Sequence, residues 1–122
     1  MVEDDAAFAT TYRSETIEEP DGTTRWVSHS ELIAINLRQR DDISVASTTE
    51  VPFDWSYLQK VDAGRAFIGS WPGIFVYNVE DISAPSFEGF HRTQGWSQEI
   101  IVDGDRAWVP TGFYGVRILE LD

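Results

Sequence analysis

The chain has 122 residues, enough for one domain with a real core and too few for two. Its 42% hydrophobic and 13% aromatic content excludes a disordered segment, and the absence of cysteine excludes a disulfide framework, a thiol nucleophile and a thiolate metal site. Twenty-one acidic against nine basic residues give a net charge of −12, which repels phosphate backbones and anionic lipid and argues against nucleic acid or a membrane surface as partner.

The first residues, "MVEDDAAFATTYRSE", lack the basic and apolar regions of a signal peptide, and no window approaches about 18 consecutive apolar residues. The acidic runs "VEDD" and "TIEEPD" (16–21) read as solvated faces. "AAFATTY" (6–12) is the first ordered segment, followed by a short strand "RSETIEE" (13–19). The apolar strand "LIAINL" (32–37) and the strand "ISVASTTE" (43–50) come next. From Trp55 the pattern becomes regular: "WSYLQKV", the turn "DAG", "RAFIGS", the turn "WPG", "IFVYNV", then the bridging strand "SFEGFHR" (86–92). It begins again with "WSQEIIV" (96–102), "DGD", "RAWVPT", "GFYG" and "VRILEL" (116–121). β-Branched and aromatic residues between Gly, Asp and Pro punctuation predict strands throughout, and no helical spacing or capping box is present.

The regularity is a repeat. Asp62 and Asp103, Arg65 and Arg106, Ala66 and Ala107, and Phe67 and Trp108 are each 41 apart; past a one-residue insertion, Gly73 and Gly115, and Val79 and Leu121, are 42 apart. A fainter upstream copy matches Asp21 to Asp62, Trp26 to Phe67 and "LIAINL" to "IFVYNV". Three units of about 41 residues nearly fill the chain, at roughly 13–50, 54–92 and 95–121. Strand-only units at this period predict an all-β fold of propeller-type blades, about three four-stranded antiparallel sheets packed face to face. The nearly continuous apolar third strand of each unit predicts burial of both its faces. A single β-sandwich or barrel is the competing architecture, but it would not require matched positions at 41 and 42. Since the last unit is one strand short, residues 6–12 are expected to latch beside it. Three blades do not close a ring, so either two chains combine into six blades or the chain is a piece of a longer propeller.

Residues 65–121 resemble the LVIVD-type repeat of bacterial and archaeal propellers, most closely at "DGDRAWV", "YGVRILEL" and "NVEDISAPSFEGF"; the likeness is loose over 21–60 and hardly extends to the first 20 residues. The Asp usual after the apolar strand of that family is Asn78, Asn36 and Glu120 here. The resemblance implies a secreted or cell-surface protein without a shared catalytic motif.

In a propeller, the link into each unit and the link between its second and third strands emerge on one face. That rule gathers Phe53, Asp54, Trp55, Gln94, Gly95 and Trp96 with Trp71, Phe113 and Tyr114 at one end. Aromatic surfaces with a few polar groups suit stacking on a small carbohydrate or a peptide. Trp55 and Trp96 recur at one position of the repeat, which also suits packing between blades; Trp71 and Phe113 recur less strictly and are the better ligand contacts. Gln59, Gln98 and Glu99 on the innermost strands are placed to line a central channel or hold water in it.

His29 and His91 have neither metal-binding spacing nor Cys partners, "DGD" reads as a tight hairpin rather than a calcium loop, and no nucleophile elbow, phosphate loop or dinucleotide fingerprint occurs. No metal and no cofactor is expected. The function expected is binding or assembly without catalysis, with the chain itself and a carbohydrate or peptide as candidate partners. The alternative is part of an extracellular hydrolase or lyase using residues such as Glu99 or Asp54, shared across blades or chains.

Overall fold

The computed structural model describes residues 1–53, 55–97 and 99–121. The chain is all β, built as three successive antiparallel meanders, none closed into a barrel. The first contains β1 (Val2–Glu3), β2 (Ala6–Glu18), β3 (Thr24–Asn36) and β4 (Ser44–Val51); the second β5 (Tyr57–Asp62), β6 (Arg65–Gly69), β7 (Gly73–Asn78) and β8 (Ser86–Arg92). The third contains β9 (Ile101–Asp103), β10 (Arg106–Pro110) and β11 (Val116–Glu120), with one turn of 3₁₀ helix at Gly112–Tyr114.

Two apolar clusters place the second sheet in the middle. Phe8, Leu32 and Ala34 of the first sheet pack with Ala66, Ile68, Phe75 and Tyr77 of the second. On the opposite face, Phe67, Ile74 and Val76 pack with Ile100, Ala107, Val109 and Leu119. Alternate residues of one strand thus serve two interfaces, so Gly73–Tyr77 are all buried. The expectation of two buried faces holds for β7 alone. Only Leu119 is buried in β11, and β3 alternates, because each outer sheet is covered on one side.

Several positions at the spacing of 41 or 42 residues share local geometry. Asn36 and Asn78 close the same local turn, each Oδ1 accepting the N–H two residues on, from Arg38 at 2.9 Å and Glu80 at 3.0 Å. The pairing slips by one residue between Ala34 and Ile35 against β4, and 42 residues later between Val76 and Tyr77 against β8. Ser70 and Thr111 each donate from backbone and hydroxyl to one carbonyl, of Gly73 and Gly115 respectively, and so fasten corresponding turns. The hairpin turns differ in detail: Ala63 and Gly64 both have positive φ (49° and 78°), whereas in "DGD" only Gly104 does (63°), as expected of type I′ and II′ geometry.

Several expectations are corrected. The third sheet has three strands rather than four among the described residues. Residues 6–12 do not lie beside it: they are continuous with 13–18 as β2, so "RSETIEE" is no separate strand and the first sheet begins at Val2. Asp21 and Trp26 are not the counterparts of Asp62 and Phe67. Because Ala6 pairs with Asn36 as Arg65 pairs with Asn78, β2 occupies the place of β6, and Trp26 lies far out on β3 with 76% exposure. Register decides the equivalence, and an 18-residue spacing difference in β2 hid it. Among the described residues of "WSQEIIV", strand pairing begins at Ile101, and β9 has three residues.

The added length makes an arm. β4 stops where Val51 meets Ser30, so Arg13–Glu18 and Thr24–His29 continue as a two-stranded ribbon with no buried residue.

Candidate functional site

Meander connectivity sends the β4–β5, β6–β7, β8–β9 and β10–β11 links to one end of the stack, the end from which the arm rises. Every aromatic residue singled out from the sequence is on these links. Gly73 brings two of them together: a methyl group there would lie 2.3 Å from the His91 carbonyl oxygen, so only glycine lets the β6–β7 turn approach β8. The Thr93 N–H then reaches the Pro72 carbonyl at 3.2 Å, and the Thr93 hydroxyl the Gly95 carbonyl at 3.1 Å.

The result is a row of three rings. Trp71 meets Trp96 edge-on at 6.1 Å between centroids, and Trp96 meets Tyr57 at 5.7 Å with a 55° tilt. All three remain open to solvent, at 58%, 37% and 51% for Trp71, Trp96 and Tyr57. Tyr114 joins from the third sheet, its ring 3.7 Å from where a Gly95 methyl would stand. Gln94, Phe53 and Phe113 are exposed, Phe113 completely. Trp55 is drawn elsewhere: with φ at 59°, it stacks on Tyr12 at 4.9 Å against the base of the arm. Two groups therefore form, Tyr57–Trp71–Trp96 with Tyr114, and Trp55 with Tyr12. Asp54 and Gln98 lie outside the described residues.

Tyr57 and Tyr12 were missed because the sequence reading sought contacts only in links. Tyr57 opens β5 and Tyr12 lies within β2, so neither is on a link.

Beneath the row, a methyl group on Gly69 would lie 2.8 Å from Gln59 Nε2 and 2.9 Å from Ser97 Oγ. Gln59 is thus lodged against the backbone between the second sheet and the link to the third. Ser97 Oγ is buried without a hydrogen-bond partner among the described residues, whereas Ser56, its counterpart 41 residues earlier, donates to the Phe53 carbonyl at 2.5 Å. Glu99 is exposed and precedes β9 rather than lying on it.

At the arm base, His29 Nδ1 is 2.7 Å from Glu50 and Nε2 is 3.2 Å from Glu15, while Arg13 bonds Glu31 at 2.9 Å and Glu15 at 3.1 Å. Glu50 first, then Glu15, holds the imidazole above its usual pKa; His29 and Arg13 hold the Glu15 carboxyl below its own. His91 behaves oppositely. It is on β8 beside Ile74, and burial, with Arg117 adding repulsion, pushes its pKa down. No group of three or more His, Asp or Glu side chains among the described residues is arranged to hold a metal ion.

A cleft of about 630 Å³ is at the opposite end, between the first two sheets. Glu3, Asp4, Asp5, Glu80 and Asp81 line it with Arg38. Two of these carboxylates are occupied internally, Glu3 by the Ala63 N–H at 2.8 Å and Asp81 by the Ser83 hydroxyl at 2.6 Å. The aromatic end therefore offers the more specific chemistry. Compared with known proteins, the chain matches no family model, no curated protein and no solved structure.

Proposed function

We propose that the chain is a propeller-type recognition module that takes a carbohydrate or a short peptide on the Trp71–Trp96–Tyr57 row. One observation carries this reading: three contiguous rings stay more than a third exposed while both apolar clusters of the fold are assembled without them. Burying such rings against the flat face of a sugar or the side chains of a peptide recovers apolar area that folding leaves in water. Tyr114, Gln94 and Phe113 border the row and supply polar and apolar rim contacts. Stacking of three sheets through repeated interfaces, together with the LVIVD-type resemblance of residues 65–121, supports the propeller framework and a secreted or cell-surface setting.

A panel of immobilised glycans and peptides tests the assignment, with tryptophan fluorescence as the solution readout. Capture by the native chain, abolished by Trp71→Ala with the melting temperature within about 2 °C, is the expected result. Capture that survives Trp71→Ala and Trp96→Ala alike would assign the ligand elsewhere.

A further inference from the structure

The two interfaces inside the chain are one interface used twice, and its two halves are both left over at the outer faces. In each case a giving face, Phe8, Leu32 and Ala34 or Phe67, Ile74 and Val76, meets a receiving face whose matched members are Ala66 and Ala107, Ile68 and Val109, Tyr77 and Leu119. The third sheet presents the giving positions again as Trp108, Val116 and Ile118, which are 41 and 42 residues after Phe67, Ile74 and Val76. All three are exposed, and Ile101, paired with Trp108, extends the patch. The first sheet presents the receiving positions. Ala7 pairs with Ile35, and Ala9 with Ile33, just as Ala66 pairs with Tyr77 and Ile68 with Phe75, and none of the four is buried.

We infer that the outer face of the third sheet seats on the outer face of the first sheet of a second copy of this chain, head to tail. The inference rests on the propeller-type reading of the stacked sheets, but not on ligand capture at the aromatic end. Size favours this occupant. The giving ring grows from Phe to Trp at Trp108, and the receiving residue shrinks from Ile68 and Val109 to Ala9, so the larger ring meets a smaller partner. Exposed apolar faces of this kind mark interaction sites, and unlike faces that meet make a heterologous contact, which closes only if the rotations sum to a full turn. With both junctions made, two chains form a ring of six sheets.

Sedimentation of native chain, Trp108→Glu and Ile33→Glu tests the docking. The native chain is expected at twice the single-chain mass at micromolar concentration, and each variant at the single-chain mass with an unchanged far-ultraviolet circular dichroism spectrum. An equimolar mixture of the two variants is expected to return to the double mass, because each retains the face the other has lost. A like-with-like contact between two third sheets would leave Ile33→Glu at the double mass, and that outcome overturns the proposal. So does a native chain that keeps the single-chain mass throughout, which would leave the two faces to sheets of another polypeptide. If either variant loses its β spectrum, Ile118→Lys and Ile35→Lys replace the pair. Ligand capture measured on the same samples separates the outcomes: the single-chain mass with capture intact refutes the docking alone.

Discussion

Phe67 and Trp108 hold the same strand position 41 residues apart, yet Phe67 is sealed between two sheets at 0% exposure and Trp108 stands 40% exposed on the outside of the third. Phe67→Ala should therefore cost about 3–5 kcal/mol of folding stability, as removal of a buried ring does. Trp108→Ala, at a dilution where the chain is single, should cost less than about 1 kcal/mol. Urea unfolding of both variants checks the contrast, and comparable losses would contradict the one-sided covering of the third sheet.

Ser56 and Ser97 are matched in sequence and in burial, but among the described residues only Ser56 has a partner for its hydroxyl. Ser56→Ala should lose about 1 kcal/mol, the net worth of a typical hydrogen bond, whereas Ser97→Ala should be neutral or slightly stabilising because it removes an unsatisfied polar group. Thermal unfolding of the two alanine variants side by side reads the difference. A large loss at Ser97 would mean that the hydroxyl is bonded in solution.

The two histidines should give opposite pH dependences. His29, faced by Glu15, Glu50 and Arg13, has a raised pKa. Its contribution is fully present below the ordinary histidine value of about 6.5 and is lost as pH rises through the raised value. His91, faced by Arg117, has a lowered pKa, so it contributes nothing adverse above about 6.5 and opposes folding as pH falls from there towards the lowered value. Relative to the native chain, His29→Gln should lose stability mainly on the acid side, while His91→Gln should gain there. Denaturant midpoints between pH 5 and 8 are the measurement; parallel curves for the two variants would refute the assignment.

Gly73 and Gly104 are both turn glycines with different constraints. A methyl group on Gly73 would collide with backbone at 2.3 Å, while one on Gly104 would meet nothing within 4 Å, although φ there is 63°. Gly73→Ala should cost about 3 kcal/mol or more and disturb Trp71 fluorescence, because the turn must withdraw from β8. Gly104→Ala should cost about 1–2 kcal/mol from left-handed strain alone, with the emission spectrum unchanged.

Much of this was legible from residue spacing. The hairpins from Trp55 to Leu121 and the 41 and 42 offsets follow from strand patterning and turn chemistry, and the burial of β7 on both faces from its nearly continuous apolar run. The first sheet was misread because its second strand carries extra length: a tryptophan at the right distance, Trp26, stood in for Phe8, the residue that fills the Phe67 position. Spacing measures chain length, whereas equivalence is set by which residues hydrogen-bond across the ladder; the inner part of β3 and β4 kept both, and β2 did not. The split of the aromatic end into two groups was illegible for another reason. It depends on the positive φ of Trp55, which turns that ring towards Tyr12 and away from Trp96.

The ribbon formed by the outer halves of β2 and β3 shares no residue with either apolar cluster, so its reach is decoupled from the integrity of the stack. Its span can change in two-residue steps, each adding roughly 7 Å without swapping its faces. Lengthening or trimming it would reposition whatever its tip meets relative to the ring-bearing surface below, as a caliper jaw slides while its frame stays fixed.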